Sequence, residues 1–213
     1  MTRTLLFLLP LTFLALFYFY PLGRIFLFSF GTDGGWDPTE LFRLFENRAY
    51  GRILWFTTWQ AAASTLLTVA AALPGAFLFA RYRFPGKKLL EALLTIPFVL
   101  PTVVVAAAFR AFLGNGGLVN STLMEWFHLS APPITIDRTV WFFLLAHVFY
   151  NYSLVLRIVS GYWSGLNRDL RAAASMLGAS PLQVFWKITL PLLLPAIGSA
   201  SLLVFIFCFT SFG

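Results

Sequence analysis

The sequence predicts an all-α transmembrane protein, a polytopic helix bundle with about five spans, and three observations carry that prediction. Hydrophobic residues fill 59 % of the 213 positions and charged residues only 11 %, against about 45–50 % and about 25 % in a soluble domain. Mean hydropathy is +0.81. The few charges gather at the ends of apolar runs, each close to the length of about 20 residues that crosses a bilayer. This balance excludes intrinsic disorder, which needs low hydrophobicity and many charges. Cys208 is the only cysteine, so no disulfide closes within the chain. A net charge of +7 would point a soluble domain towards nucleic acid. Here no basic stripe interleaves with exposed aromatics, so the expected surround is the lipid bilayer and no nucleic-acid partner is expected.

Five apolar runs are candidate spans. The first, Leu5 to Phe30, is interrupted by Pro10, Pro21 and Arg24. It exceeds the 7–15 residues of a signal peptide and no Ala-x-Ala site follows it, so it reads as a retained helix. The second runs from Ile53 to Ala80. The third, Leu89 to Leu113, has Glu91 near its start and Arg110 near its end. The fourth is Val140 to Gly161, with Arg157 in its last turn, and the fifth is Ile188 to Gly213. The chain thus divides into a first helix with an outer loop, 1–51, and a main transmembrane domain, 52–213. Gly213 falls inside an apolar run with no polar flank, so the expectation is that this domain is cut within a longer chain.

Lys and Arg orient the spans. The N-terminus, the loop 81–88, and the end of the fourth span with the loop 162–187 together hold nine of the 15 basic residues: Arg3, four within Arg81 to Lys88, then Arg157, Arg168, Arg171 and Lys187. By the positive-inside rule these parts face the cytoplasm. The loops 31–52 and 113–138 then face outward, with most of the acids: Asp33, Asp37, Glu40, Glu46, Glu125 and Asp137. Pro85-Gly86 marks a tight cytoplasmic turn, and Gly31, Gly34, Gly35 and Pro38 open the first outer loop. Gly114-Asn115-Gly116-Gly117 closes the third span. It lacks the following Gly-Lys-Ser/Thr of a phosphate cradle.

The stretch from Asn167 to Pro191 is not a span. It reads as two short helices. Asn167 caps the first, and Asp169 suits its positive end. Ala172, Ala173 and Ala174 are strong helix formers, and Gly178 suits the left-handed position that ends a helix. Ser180, Pro181 and Gln183 spell the start of the second as a capping box, and Leu190-Pro191 is expected to stop it. From the residues alone two roles stay open: a pair that another backbone approaches closely, or an interfacial pair lying on lipid.

The spacing Ala172-Ala173-Ala174, Gly178, Ile188, Leu190-Pro191 resembles the EAA loop of permease subunits of type I ATP-binding-cassette importers. The glutamate of that pattern is Ala172 here, which removes any salt bridge from that position. Pro97 to Val105, Gly114 to Leu118, Leu145 to Asn151 and Phe207 to Phe212 are similar to segments of thiamine permeases and of related ferric-iron permeases. The resemblance covers nearly the whole chain and implies the first of two permease halves. It implies that segment 162–190, through Ala172, Ala173, Ala174, Gly178, Ile188, Leu190 and Pro191, couples to a dimer of ATPase subunits. It further implies a second permease half in the same longer chain or in another subunit. An extracytoplasmic binding protein would deliver the substrate, thiamine or ferric iron, at a bacterial inner membrane. ATP and magnesium would bind the ATPase, and no cofactor this chain.

Within the spans, polar residues are candidates for the translocation path. Gln60, Ser64 and Thr68 form a stripe at four-residue spacing on the second span. His147 and Asn151 share one face of the fourth. Pro97 and Pro101 kink the third and free backbone carbonyls, as at transporter cavities. For each the alternative is packing: interhelical hydrogen bonds or a plain kink. The small-residue runs Ala61–Ala63, Ala70–Ala72 and Ala106–Ala108 suit close helix contact. Asn120-Ser-Thr and Asn151-Tyr-Ser match a glycosylation pattern only formally. No metal-ligand cluster, Walker motif or catalytic triad is present, so an enzyme is not expected. The rival readings are a secondary transporter, which wants a buried carboxylate and has Glu91 as its only candidate, and a non-transporting scaffold.

Overall fold

The structure, a computed structural model, describes residues 2–32, 35–36, 48–136 and 139–211. Asp33, Asp37, Glu40, Glu46 and Asp137, together with Gly34, Pro38, Arg43, Arg138, Phe212 and Gly213, lie outside these residues. The described elements are almost all helical. In order they are α1 (Thr2–Leu14), a π-helical turn (Ala15–Phe19), α2 (Tyr20–Phe30), the short strands β1 (Gly31–Thr32) and β2 (Gly35–Trp36), then α3 (Arg48–Arg81). They continue with α4 (Lys87–Val99), α5 (Thr102–Leu113), α6 (Leu118–Phe127), α7 (Val140–Ser164), α8 (Arg168–Met176), α9 (Pro181–Val184), a second π-helical turn (Phe185–Thr189) and α10 (Leu190–Phe209). The chain forms two compact units, Met1–Trp55 and Phe56–Gly213.

In the first unit α1 and α2 form one continuous rod through the π turn. The run Phe7–Phe28 is apolar and long enough to span a bilayer, and none of it is buried within the chain. The strands pair antiparallel, Gly31 opposite Trp36 and Thr32 opposite Gly35. The π turn stands just before Pro21, where the Tyr20 N–H reaches back five residues to the Ala15 carbonyl. Widening the helix there offers room for a proline ring that would otherwise strike the carbonyl four residues earlier.

The second unit is built on α3, α7 and α10. Its core joins Ala61, Ala72 and Ala76 of α3 to Val155, Val159 and Trp163 of α7 and to Leu193, Ala200, Val204 and Cys208 of α10. The contacts set the directions. Ser64 meets His147 and Gly75 meets Leu156, so α3 and α7 run parallel. Asn151 meets Cys208 and Trp163 meets Phe185, so α10 runs antiparallel to α7. A Cβ on Gly75 would strike the Tyr152 hydroxyl and come 2.8 Å from Leu156 Cδ1. The missing side chain is what leaves room for the Tyr152 and Leu156 side chains against α3. The small-residue runs contribute less than expected. Ala61 and Ala72 are fully buried, whereas Ala62, Ala70, Ala71 and all of Ala106–Ala108 are exposed within this chain.

Two sequence expectations change. The third span, expected as one kinked helix from Leu89 to Leu113, is broken outright. Leu100 is extended (φ −69°, ψ 139°) and Pro101 caps a new helix, because proline forces its predecessor out of the helical region. The crossing itself stands. Lys87 Nζ donates to the Phe79 carbonyl near the end of α3, Leu100 lies against Tyr150, and Phe109 packs on Phe149 and Phe142. Helices α4 and α5 thus pass the whole of α7 in two pieces. By length and composition alone the apolar run here is Thr102–Phe127, which contains the Gly114–Gly117 turn. Secondly, Leu190-Pro191 does not stop the second short helix. Its π turn passes straight into α10, and the Leu190 N–H donates to the Phe185 carbonyl. Pro191 is absorbed as Pro21 is, so the last span runs Pro181–Phe209.

Candidate functional site

Buried polar groups from three helices meet in the second unit. Gln60, Ser64 and Thr68 are all fully buried, as the four-residue stripe predicts. Ser64 Oγ is 2.9 Å from His147 Nδ1, and Ser211 Oγ is 2.9 Å from His147 Nε2. The ring is thus clamped between a hydroxyl of α3 and one just past α10. Gln60 Nε2 donates to the Cys208 carbonyl at 2.9 Å, while its Oε1 is buried with no partner among the described residues. Asn151 Nδ2 donates to the His147 carbonyl at 3.0 Å and approaches Cys208 Sγ at 3.6 Å. Thr68 turns inward on its own helix, donating to the Ser64 carbonyl. Interhelical hydrogen bonding is therefore part of what this stripe does.

A cavity of about 450 Å³ opens beside the clamp. His147, Asn151 and Tyr150 line it from α7, Leu100 and Thr102 from the broken helix, and Phe98 and Phe207 close it with rings 6.3 Å apart. The break supplies its polar edge. The Leu100 carbonyl, whose helical donor would be the Val104 N–H that turns instead to the Pro101 carbonyl, accepts from the Tyr150 hydroxyl at 3.3 Å. Of the residues marked as path candidates, His147 and Asn151 line this cavity. Ser64 reaches it through His147. Pro97 and Pro101 shape the break without lining it, and Gln60 and Thr68 stay in the packed seam. Sequence reasoning missed Tyr150 and Ser211. Tyr150 had a readable signal, since an X-Pro break inside a span needs a donor nearby for the freed carbonyl. Ser211 had none.

At the other end of α7 lies the helix pair. Asn167 Oδ1 accepts from the Asp169 N–H, and Ser180 and Gln183 form the complete capping box. Gly178 has φ +85°, with its N–H on the Ser175 carbonyl and the Ala179 N–H on the Ala174 carbonyl. This is a Schellman termination. Nothing lies within 4 Å of where a Cβ on Gly178 would stand, so conformation and not space asks for glycine. Met176 and Leu177, each 89 % exposed, stand at the turn with Leu182 and Trp186 also exposed. Ala172 lines a cavity with Arg81 and Arg171, which brings the basic loops 81–88 and 162–187 to one end. Near the opposite end Asn120 is fully buried, binding the Gly114 carbonyl and both backbone groups of Ile134. Its glycosylation pattern is structural: the amide is already spent on the turn.

Comparison with known proteins matches residues 70–212 to the family described as binding-protein-dependent transport system inner membrane component. The thiamine transport system permease protein ThiP of Brucella abortus (strain 2308) is 32 % identical over 180 residues, which is 84 % of this chain and 32 % of that protein. The molybdenum transport system permease protein ModB of Escherichia coli (strain K12) is 35 % identical over 73 % of this chain and 69 % of its own length. The putative 2-aminoethylphosphonate transport system permease protein PhnU of Salmonella choleraesuis (strain SC-B67) is 30 % identical over 97 % of this chain and 72 % of its own. The chain spans about a third of the length of the thiamine permeases that it matches. Five candidate spans among the described residues, a buried polar seam between them and a match over two thirds of the sequence agree: the chain belongs to the inner-membrane permease components of binding-protein-dependent transport systems and is not an enzyme.

Proposed function

We propose that the chain is a permease subunit of an ATP-driven importer, forming one side of the solute path and coupling to a separate ATPase through segment 162–190. The observation that carries this is the capped helix pair, whose exposed Met176, Leu177, Leu182 and Trp186 suit burial in a partner's groove. Ala172, Ala173, Ala174, Gly178 and Ile188 then form the coupling surface, and Leu190-Pro191 joins it rigidly to the last span. The ATPase dimer carries ATP and magnesium. A binding protein delivers solute to the loops 31–52 and 113–138, and a second permease half completes the path. The N-terminus is cytoplasmic, at the basic end. His147 and Asn151 face the solute, while Gln60, Ser64 and Thr68 hold them in place and Pro97 and Pro101 break the third span beside it.

For the cargo, thiamine stands ahead of ferric iron and of the oxyanions named for other relatives. The cavity offers the rings of Phe98, Phe142, Phe143 and Phe207 to a flat cationic heteroaromatic, and among the described residues no Lys or Arg lines it for an anion. Among the described residues no cluster of three His, Cys, Asp or Glu could hold an iron ion. An ion-driven transporter would want a buried carboxylate, and Glu91 is exposed. The test is uptake into proteoliposomes holding the intact transporter with its ATPase and binding protein. Thiamine accumulation should require ATP and fall at least about tenfold in Gly178→Val, a β-branched residue at positive φ. Unchanged uptake with the ATPase normally bound overturns the coupling role, and uptake of molybdate in place of thiamine overturns the cargo.

A further inference from the structure

We propose that the basic end of the second unit binds one anionic phospholipid, its phosphate between Arg81 and Arg171 and an acyl chain in the groove beside them. Two cavities share Trp163 as a wall. One, of about 390 Å³, is lined by Arg81, Arg171, Ser164 and Ser175, with no acid among its lining residues. The other, of about 360 Å³, is walled by Ala70, Leu73, Phe77, Phe185 and Leu193. Arg81 bridges the two, its guanidinium 5.8 Å from the centre of the Phe77 ring.

The dimensions fit a lipid. From Ala70 to Arg81, α3 rises about 16 Å, close to half the hydrocarbon thickness of about 30 Å. A phosphate seated at Arg81 therefore leaves its chain running one leaflet deep along an apolar wall. Two arginines and two hydroxyl residues lining one cavity suit a phosphate, for which arginine's fork is the matching donor. Trp163 is buried, and its indole N–H has no acceptor among the described residues. Its ring, with Phe77 and Phe185 against it, forms the wall between the polar cavity and the apolar one. Free phosphate shares the headgroup chemistry but leaves the apolar groove unfilled, so the lipid is the occupant that uses both. Arg171 lies on α8. If the coupling role of that helix holds, the lipid ties its resting position to membrane charge. Lipid binding itself does not depend on that role.

The test is native mass spectrometry of the intact, delipidated transporter titrated separately with phosphatidylglycerol, phosphatidylcholine and inorganic phosphate, without ATP. We expect about tenfold preferential retention of one phosphatidylglycerol over phosphatidylcholine. That preference should be lost in Arg81→Ala/Arg171→Ala and weakened about threefold in Trp163→Phe, which shrinks the wall that the two cavities share. Inorganic phosphate at equal concentration should not displace the lipid. Should the double variant fail to fold, Trp163→Phe and the single variant Arg81→Gln carry the same comparison. Equal retention of the two lipids, an unchanged preference in the variants, or displacement by phosphate overturns the proposal. A failure of ATP-driven uptake in Gly178→Val would bear on the coupling reading and leave this one standing.

Discussion

His147 is held at both ring nitrogens, so its truncation removes two contacts at once. Ser64→Ala should destabilise by about 0.6–1.7 kcal/mol, the range of a hydrogen bond between membrane helices, and His147→Ala, which also loses Ser211, by more than Ser64→Ala does. In a double-mutant cycle on detergent-solubilised protein the two losses should not add, because they delete the same 2.9 Å contact. Additive losses would mean that the contact carries no energy. Gly75 poses the opposite problem. Gly75→Ala puts a methyl against Tyr152 and Leu156, and overpacking of this kind costs about 1–3 kcal/mol. Tyr152→Phe, which removes the oxygen that the methyl strikes, should recover part of the lost melting temperature. The stripe of Gln60, Ser64 and Thr68 was legible because periodicity alone places those residues on one face. Gly75 was not. Its reason is a neighbour 77 positions away, and only the fold brings Tyr152 there.

Helix ends are the parts of this chain most faithfully written in local sequence. Asn167, Gly178 and the Ser180–Gln183 box all do what residue chemistry predicts, because a cap is decided within four residues. Ser180→Ala should cost about 1 kcal/mol and speed amide exchange across 181–184, leaving 200–209 unchanged. Prolines are less legible. Pro97, Pro74 and Pro195 sit inside helices, Pro101 ends one, and Pro21 and Pro191 follow π turns. The ring's clash is local, but its remedy depends on which neighbour takes the freed carbonyl. At the Leu100 break that neighbour is Tyr150. Tyr150→Phe should therefore raise amide exchange at Val103 and Val104 and lower the melting temperature by an amount matching about 0.5–1.5 kcal/mol.

For the molecule as a whole, the charge bias and the structure agree on which loops lie together. Arg81 and Arg171 line one cavity, while the Asn120 turn lies towards the end where α7 begins. A membrane-impermeant maleimide tests the orientation in a Cys208→Ser background. It should label Lys88→Cys only in inside-out vesicles and Glu125→Cys only in right-side-out ones. The reverse pattern would invert the proposed topology and move the helix pair away from any cytoplasmic ATPase.

The sequence by itself determined the class, the apolar runs, the polar stripe and the caps, since hydropathy, periodicity and capping act within one turn or one span. It also carried the spaced small residues through which the family resemblance was legible. Only the tertiary structure decided that the third span breaks beside Tyr150, that Pro191 leaves its helix unbroken, and that His147 is clamped by Ser64 and Ser211. The reason is common to all three. A freed carbonyl and an imidazole within an apolar span take their partner from another helix, and a proline ring needs a widened turn of its own helix; each is a three-dimensional arrangement that the local sequence does not spell out.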